Sequence, residues 1–190
     1  YICNPNNPTG TYVSKDKLME FAAKCPDHVI QVYDEAYIEF AQAPDCLEMT
    51  EAMKTMPEKP IVLLKTFSKF YAMAGIRVGY ILAQPEIIEW LSKCGTQFAL
   101  SKVSQAGAVA AMTDMEHQKY VKEENAKWRS YLTDGLKELG CKVYPSQTNF
   151  IFFHPHVDPE TVSMKMMERG IMISAQAGAN RVSVGKPEHC

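Results

Sequence analysis

TFSKFYAMAGIRVGY, residues Thr66 to Tyr80, follows a short apolar run from Pro60 to Leu64. That run combines Ile61 and Val62 with two leucines behind a proline, so it reads as a buried strand. Two hydroxyls, Thr66 and Ser68, then lead into Lys69, and Arg77 comes later between Gly75 and Gly79. A lysine leaving a strand end among hydroxyls, with a guanidinium nearby, has what an aldehyde cofactor carrying a phosphate needs. The amine condenses with the aldehyde, while the hydroxyls and the permanently charged arginine hold the phosphate. Taken alone, the stretch reads equally as a surface lysine in a Ser/Thr-rich loop.

The rest of the chain supplies company for it. Asn4 to Gly10, NPNNPTG, follows a strand end at Tyr1-Ile2-Cys3. Its two prolines and glycine make a fixed non-helical turn, of the kind that sits where open α/β sheets bind ligands. Ser14 caps a predicted helix whose packed face is Leu18, Phe21, Ala22 and Cys25, ended by Pro26. His28 to Tyr33 reads as a strand running into Asp34 and Tyr37 of DEAYIEF. A carboxylate there needs a cationic or hydrogen-bonding partner, although a helix-capping aspartate beside a core tyrosine is the plainer alternative. Cys46 to Met56 is expected to be helical and Arg77 to Ala83 to be a strand. The alternation argues for βαβ units in a mostly parallel sheet with helices on both faces, with Asn7, Asp34 and Lys69 all following strand ends.

Beyond this, Pro85 to Cys94 and Lys102 to Met112 read as helices, the second buried because of its alanines. Glu116 to Leu139 is the longest helical pattern, with Val121, Trp128, Leu132, Leu136 and Leu139 at helical spacing and Gly140 as its stop. Lys142 to Tyr144, Asn149 to Phe153 and Arg181 to Val184 read as strands, with a helix at Pro159 to Arg169, which makes a small α+β unit. The expected division is 1–120 and 121–190, bridged by the long helix. Gly178-Ala179-Asn180 is a turn delivering Arg181 to a strand start. An arginine among valines should be partly buried and have an anionic partner, either an acidic side chain or a ligand.

SK followed by AGIRVGY, taken with NPTG, DEAY and RVSVG in this order, resembles the fold-type-I pyridoxal-phosphate aminotransferases. The chain is most similar to the histidinol-phosphate branch, and matches about the last half to two thirds of such a protein. The resemblance implies a partial large cofactor domain and a truncated small domain. It makes Lys69 the Schiff-base lysine and proton shuttle, and Asp34 the partner of the cofactor's ring nitrogen. Asn7 and Tyr37 meet its phenolic oxygen, while Thr66, Ser68 and Arg77 hold its phosphate. Arg181, with Asn149, grips the substrate's anionic group. The implied reaction moves an amino group between an amine, best L-histidinol phosphate, and 2-oxoglutarate. A phosphothreonine-decarboxylase-like lyase and an aromatic aminotransferase are the alternatives, and a non-catalytic homologue is disfavoured because Lys69, Asp34 and Tyr37 occur together. A homodimer is implied. The glycine/serine phosphate loop belongs to the family's other half, so these 190 residues alone are expected to bind cofactor poorly and turn over nothing.

Composition excludes other classes. At 46% hydrophobic with a net charge of −2, the chain has no basic footprint for nucleic acid and no polybasic membrane patch. No run approaches the ~20 apolar residues needed to cross a bilayer, and no charged-then-apolar leader opens the chain, so the compartment reads as the cytoplasm. Cys3, Cys25, Cys46, Cys94, Cys141 and Cys190 show no C-x-x-C spacing, so buried reduced thiols are expected. His28, His117, His154, His156 and His189 are not at metal-ligand spacing and read as structural or solvated. Met164, Met166, Met167 and Met172 read as adaptable core packing.

Overall fold

The computed structural model describes residues 1–96, 98–186 and 188. His189 and Cys190 lie outside the described residues. The first sheet is built from β1 (Ile2–Cys3), β2 (Gln31–Asp34), β3 (Ile61–Thr66) and β4 (Gly79–Leu82), adjacent in that order, with helices α1 (Lys15–Lys24) and α2 (Thr50–Thr55) between its strands. β1 with β2 and β2 with β3 run parallel, and β4 returns antiparallel to β3. The sheet is therefore mixed and mostly parallel, as expected. Leu18 and Ala22 of α1 and Ala52 of α2 cover Tyr33, Ile61 and Leu63 on one face. Fully burying a side chain such as Leu63 contributes about 2 kcal/mol.

Helices α3 (Pro85–Cys94), α4 (Lys102–Thr113) and α5 (Met115–Glu138) follow. The second sheet contains β5 (Lys142–Val143), β6 (Phe150–His154), β7 (Ser174–Gln176) and β8 (Ala179–Ser183), with α6 (Pro159–Met167) packed beside it. Its order is β5-β6-β8-β7, antiparallel throughout. Residues 150–153 are all buried, which suits a strand central to its sheet.

Several elements differ from expectation, each for a local reason. The strand expected from His28 begins only at Gln31, because Val29 N–H closes a turn on Pro26 O, and Ile30 is exposed. The helix expected from Cys46 is confined to α2: Met49 N–H is taken at 2.7 Å by the Glu35 carboxylate, and Leu47 faces out. The expected strand at Arg77 starts at Gly79, since Arg77 itself is left-handed at φ 54°. Phe21 is exposed, and the packed face of α1 narrows to Leu18 and Ala22.

Helix α4 is mostly exposed rather than buried; only Ser104 and Ala108 pack, with Ala108 against Phe67 and Val78. Alanines permit close approach without naming a partner. The fully buried positions of α5 are the polar Asn125 and Arg129; Val121 packs on the Tyr37–Phe150 cluster, Trp128, Leu132 and Leu136 are partly buried, and Leu139 is exposed. Asn180 lies in β8 and the turn is made by Ala177 and Gly178, both at positive φ. That hairpin pairs β8 with β7, a strand with no clear apolar alternation. Met164, Met167 and Met172 are exposed, not core. Cys25 and Cys46 are buried, but Cys3 and Cys94 are exposed; all five described cysteines are free.

Candidate active site

The parallel sheet presents three strand ends to one side. Cys3 pairs in register with Asp34, and Asn4 N–H donates to Asp34 O at 2.9 Å, so the NPNNPTG turn leaves the sheet beside the aspartate. Asn4, itself buried, braces that turn by accepting from Val13 N–H at 2.8 Å. Asp34 Oδ1 accepts from Ala36 N–H at 3.0 Å, which orients the carboxylate at the end of β2.

From β3 the chain turns tightly. Thr66 Oγ1 accepts from Ser68 N–H at 3.0 Å, Phe67 N–H donates to Val78 O, and Ala72 N–H donates to Lys69 O. This small loop projects Lys69, which is exposed. Arg77 Nη1 donates to Ala74 O at 2.8 Å, and among the described residues no carboxylate pairs with it. Asp34, Ala36, Thr66, Ser68, Lys69 and Arg77 line one cleft of about 370 Å³. An amine, a carboxylate, two hydroxyls and a guanidinium thus share one space. That set can hold an aldehyde through the amine, a basic ring nitrogen through the carboxylate, and a phosphate through the remainder.

The other sequence-derived residues join through aromatic rings. Lys69 Nζ lies 5.6 Å from the centroid of the Tyr37 ring, and Tyr37 meets Phe150 edge-on at 5.1 Å. The Arg181 guanidinium stacks on that Phe150 ring at 4.9 Å and its Nη1 donates to Asn7 Oδ1 at 2.7 Å. Lys69, Tyr37, Arg181 and Asn7, drawn from both sheets, therefore form one chain of contacts with Phe150 as the link. Phe150 carries no such signal in the sequence, where an aromatic in an apolar strand looks like ordinary core. Arg181 is half-buried, and its partners are an amide and a ring; no acidic side chain pairs with it among the described residues. Asn149 lies in a neighbouring cavity of about 460 Å³, whose apolar walls include Phe40, Phe70, Tyr120 and Trp128 and which also reaches Lys69.

The sequence also hid Glu35 and Lys65, buried beneath the strand ends and ion-paired at 3.2 Å. The available signal was a lysine at an inward position of IVLLKT. Among the described residues no cluster of His, Cys, Asp or Glu could hold a metal ion, and no helix is long and apolar enough to cross a membrane.

The model of the aminotransferase class I and II family matches residues 1–189. The chain belongs to that family. A histidinol-phosphate aminotransferase of Halalkalibacterium halodurans is 35% identical to this family member over 99% of the chain and 52% of its own length. The structure of the Sinorhizobium meliloti histidinol-phosphate aminotransferase in complex with pyridoxal-5'-phosphate superposes with a TM-score of 0.90 at 29% identity, covering 100% of this chain and 53% of that one. The L-threonine-O-3-phosphate decarboxylase of Porphyromonas gingivalis shares the fold, with a TM-score of 0.80 at 20% identity over 98% of this chain and 59% of its own. The chain spans about half the length of the curated relatives it matches.

Proposed function

We propose that the protein carrying these residues is a pyridoxal-phosphate-dependent aminotransferase. It moves an amino group between an amine, L-histidinol phosphate being the first choice, and 2-oxoglutarate. The observation carrying this reading is that Lys69 and Asp34 line a single cleft with Arg77, Thr66 and Ser68. This donor set fits the cofactor group by group. With the cofactor bound, Lys69 Nζ would hold its aldehyde carbon, Asp34 would meet its ring nitrogen, and Arg77, Thr66 and Ser68 would take its phosphate. Bound there, the cofactor supplies an electron sink for charge developing on the substrate carbon. The Asp34 carboxylate favours the protonated ring nitrogen by proximity of opposite charge. With its Oδ1 taken by Arg181, Asn7 has its amide N–H groups left for the phenolic oxygen, which Tyr37 would also meet. The Lys69 amine would move the proton at the substrate carbon. Arg181 takes the substrate's anion.

An aromatic amino-acid donor is the second reading, favoured by the apolar cavity of about 460 Å³ beside Lys69. On either reading residues 1–120 belong to the cofactor domain and 121–190 to the small one, and the natural protein is a cytoplasmic homodimer. Absorption spectroscopy of the natural protein with pyridoxal phosphate tests the assignment. A visible band abolished by Lys69→Ala and bleached by the productive amine is expected; the same band in Lys69→Ala would overturn it. Glutamate formation dependent on the oxo acid identifies a transferase, whereas carbon dioxide release identifies a lyase.

A further inference from the structure

The strand ends that carry the site are joined from beneath by a buried ion cluster to which none of the roles above gives work. Side chains alternate between the faces of a sheet. Leu63 and Tyr33 share the face covered by α1 and α2, so Lys65 in β3 and Glu35 just past the end of β2, each two residues on, fall on that same side. Asp34 and Thr66 fall on the other, with the cleft, whose lining Lys65 also touches although its side chain is only 2% exposed. Lys65 Nζ lies 3.2 Å from Glu35 Oε2, 2.9 Å from Glu48 Oε1 and 3.5 Å from Glu39 Oε1. The Lys65 and Glu35 side chains are only 2% and 1% exposed. Glu35 is fixed further: its Oε1 accepts from Met49 N–H at 2.7 Å, and its own N–H donates to Leu64 O at 3.0 Å, carrying the β2–β3 ladder one residue past Asp34.

Stability alone is a poor reason for such a pair. Taking two charges out of water costs several kcal/mol each, and well-packed apolar residues of equal volume often serve as well. What an ion pair adds over an apolar contact is direction, because its energy depends on where both ends sit. Burial raises the Glu35 and Glu39 carboxyls above their usual range, and Lys65 offsets that only in part. Burial also opposes the charge on Lys65, but the carboxylates of Glu39, Glu35 and Glu48 outweigh it and hold that pKa above its usual range.

We infer that Glu35 and Lys65 are a positioning pair that ties the end of β2 to β3 and thereby sets Asp34 against Lys69 across the cofactor cleft. The inference rests on the aminotransferase reading of the cleft. Its test uses the natural protein, with pyridoxal phosphate alone as probe and two readouts: the dissociation constant, and the circular dichroism of the bound visible band, which reports how the chromophore is held. Lys65→Met and the triple variant Glu35→Gln/Glu39→Gln/Lys65→Met, which removes the buried charges together, are expected to bind about tenfold more weakly and to alter the band's dichroism per bound cofactor, while Lys65→Arg restores both. The triple variant leaves only the half-exposed Glu48 carboxylate of the cluster, so its folding is expected to approach wild type.

A loss below about threefold in the folded triple variant, or unchanged dichroism, overturns the inference. So does unfolding of both variants, since the pair then serves the fold and not the site. A wild-type protein that forms no band, or a Lys69→Ala variant that keeps it, instead strikes at the aminotransferase reading itself.

Discussion

Arg181 is the residue whose surroundings say most about its task. It rests on the Phe150 ring and bonds the Asn7 amide, both neutral, and it finds no acidic side chain among the described residues. A half-buried guanidinium held only by neutral groups keeps its charge available for a ligand anion. Lysine would retain the charge but lose the planar fork that binds an anion through two parallel hydrogen bonds. Arg181→Lys is therefore expected to lower kcat/KM for the anionic amine by at least about tenfold, ~1.4 kcal/mol, while pyridoxal phosphate binds as before. Steady-state kinetics beside a cofactor titration checks this, and an unchanged kcat/KM refutes it. Asp34, Lys69 and Arg77 could be singled out from the sequence because charged groups at strand ends stand out in apolar surroundings. Glu35 and Lys65 could not, because their pairing depends on two strands being neighbours.

Among the elements, the segment from Ser146 to Asn149 is held from three directions. Thr148 O accepts from Asn125 Nδ2 at 3.2 Å and from Arg129 Nη1 at 2.8 Å, which explains why the most buried residues of α5 are polar. Burial alone lowers the Arg129 pKa. Gln147 Oε1 accepts from Gln42 and Ala43 N–H, and Gln147 N–H donates to Gly10 O at 2.9 Å. Gly10 has φ +75°, and a Cβ there would lie 2.5 Å from Ser146 Oγ and 2.8 Å from Ser146 Cβ. Only glycine lets the asparagine–proline turn approach this closely. Gly10→Ala is expected to cost about 2–4 kcal/mol, the left-handed penalty plus displacement of Ser146. A urea titration measures the loss; a midpoint equal to wild type would show that the approach is not close in solution. The glycine could be read from the sequence as a turn residue, but its opposing partner, 136 positions away, could not.

For the whole molecule, the main core brings a phenol into apolar surroundings. Tyr33 is fully buried, with its hydroxyl donating to Gln31 Oε1 at 2.8 Å, and burial pushes its pKa up to about 12. In the unfolded chain it ionises near the ordinary value of about 10. Between those values the folded state holds the proton that the unfolded state has released, so this group makes stability fall as pH rises from about 10 to about 12. Urea midpoints at the two ends of that window should diverge in the wild type and diverge less in Tyr33→Phe. Equal divergence in both would assign the alkaline loss to other groups.

The sequence by itself determined the strand and helix order of the first sheet, the turn chemistry at Asn4 to Gly10, and the identities of the charged residues at the strand ends. These are local properties, set by apolar runs, prolines and glycines within a few residues of one another. Only the tertiary structure decided that β4 turns antiparallel, that α4 stays largely exposed, that the most buried residues of α5 are polar, and that Phe150 links Tyr37 to Arg181. Each of those depends on which surface meets which across long stretches of chain. A pattern of polar and apolar residues records how a side chain prefers to be surrounded, but not by whom.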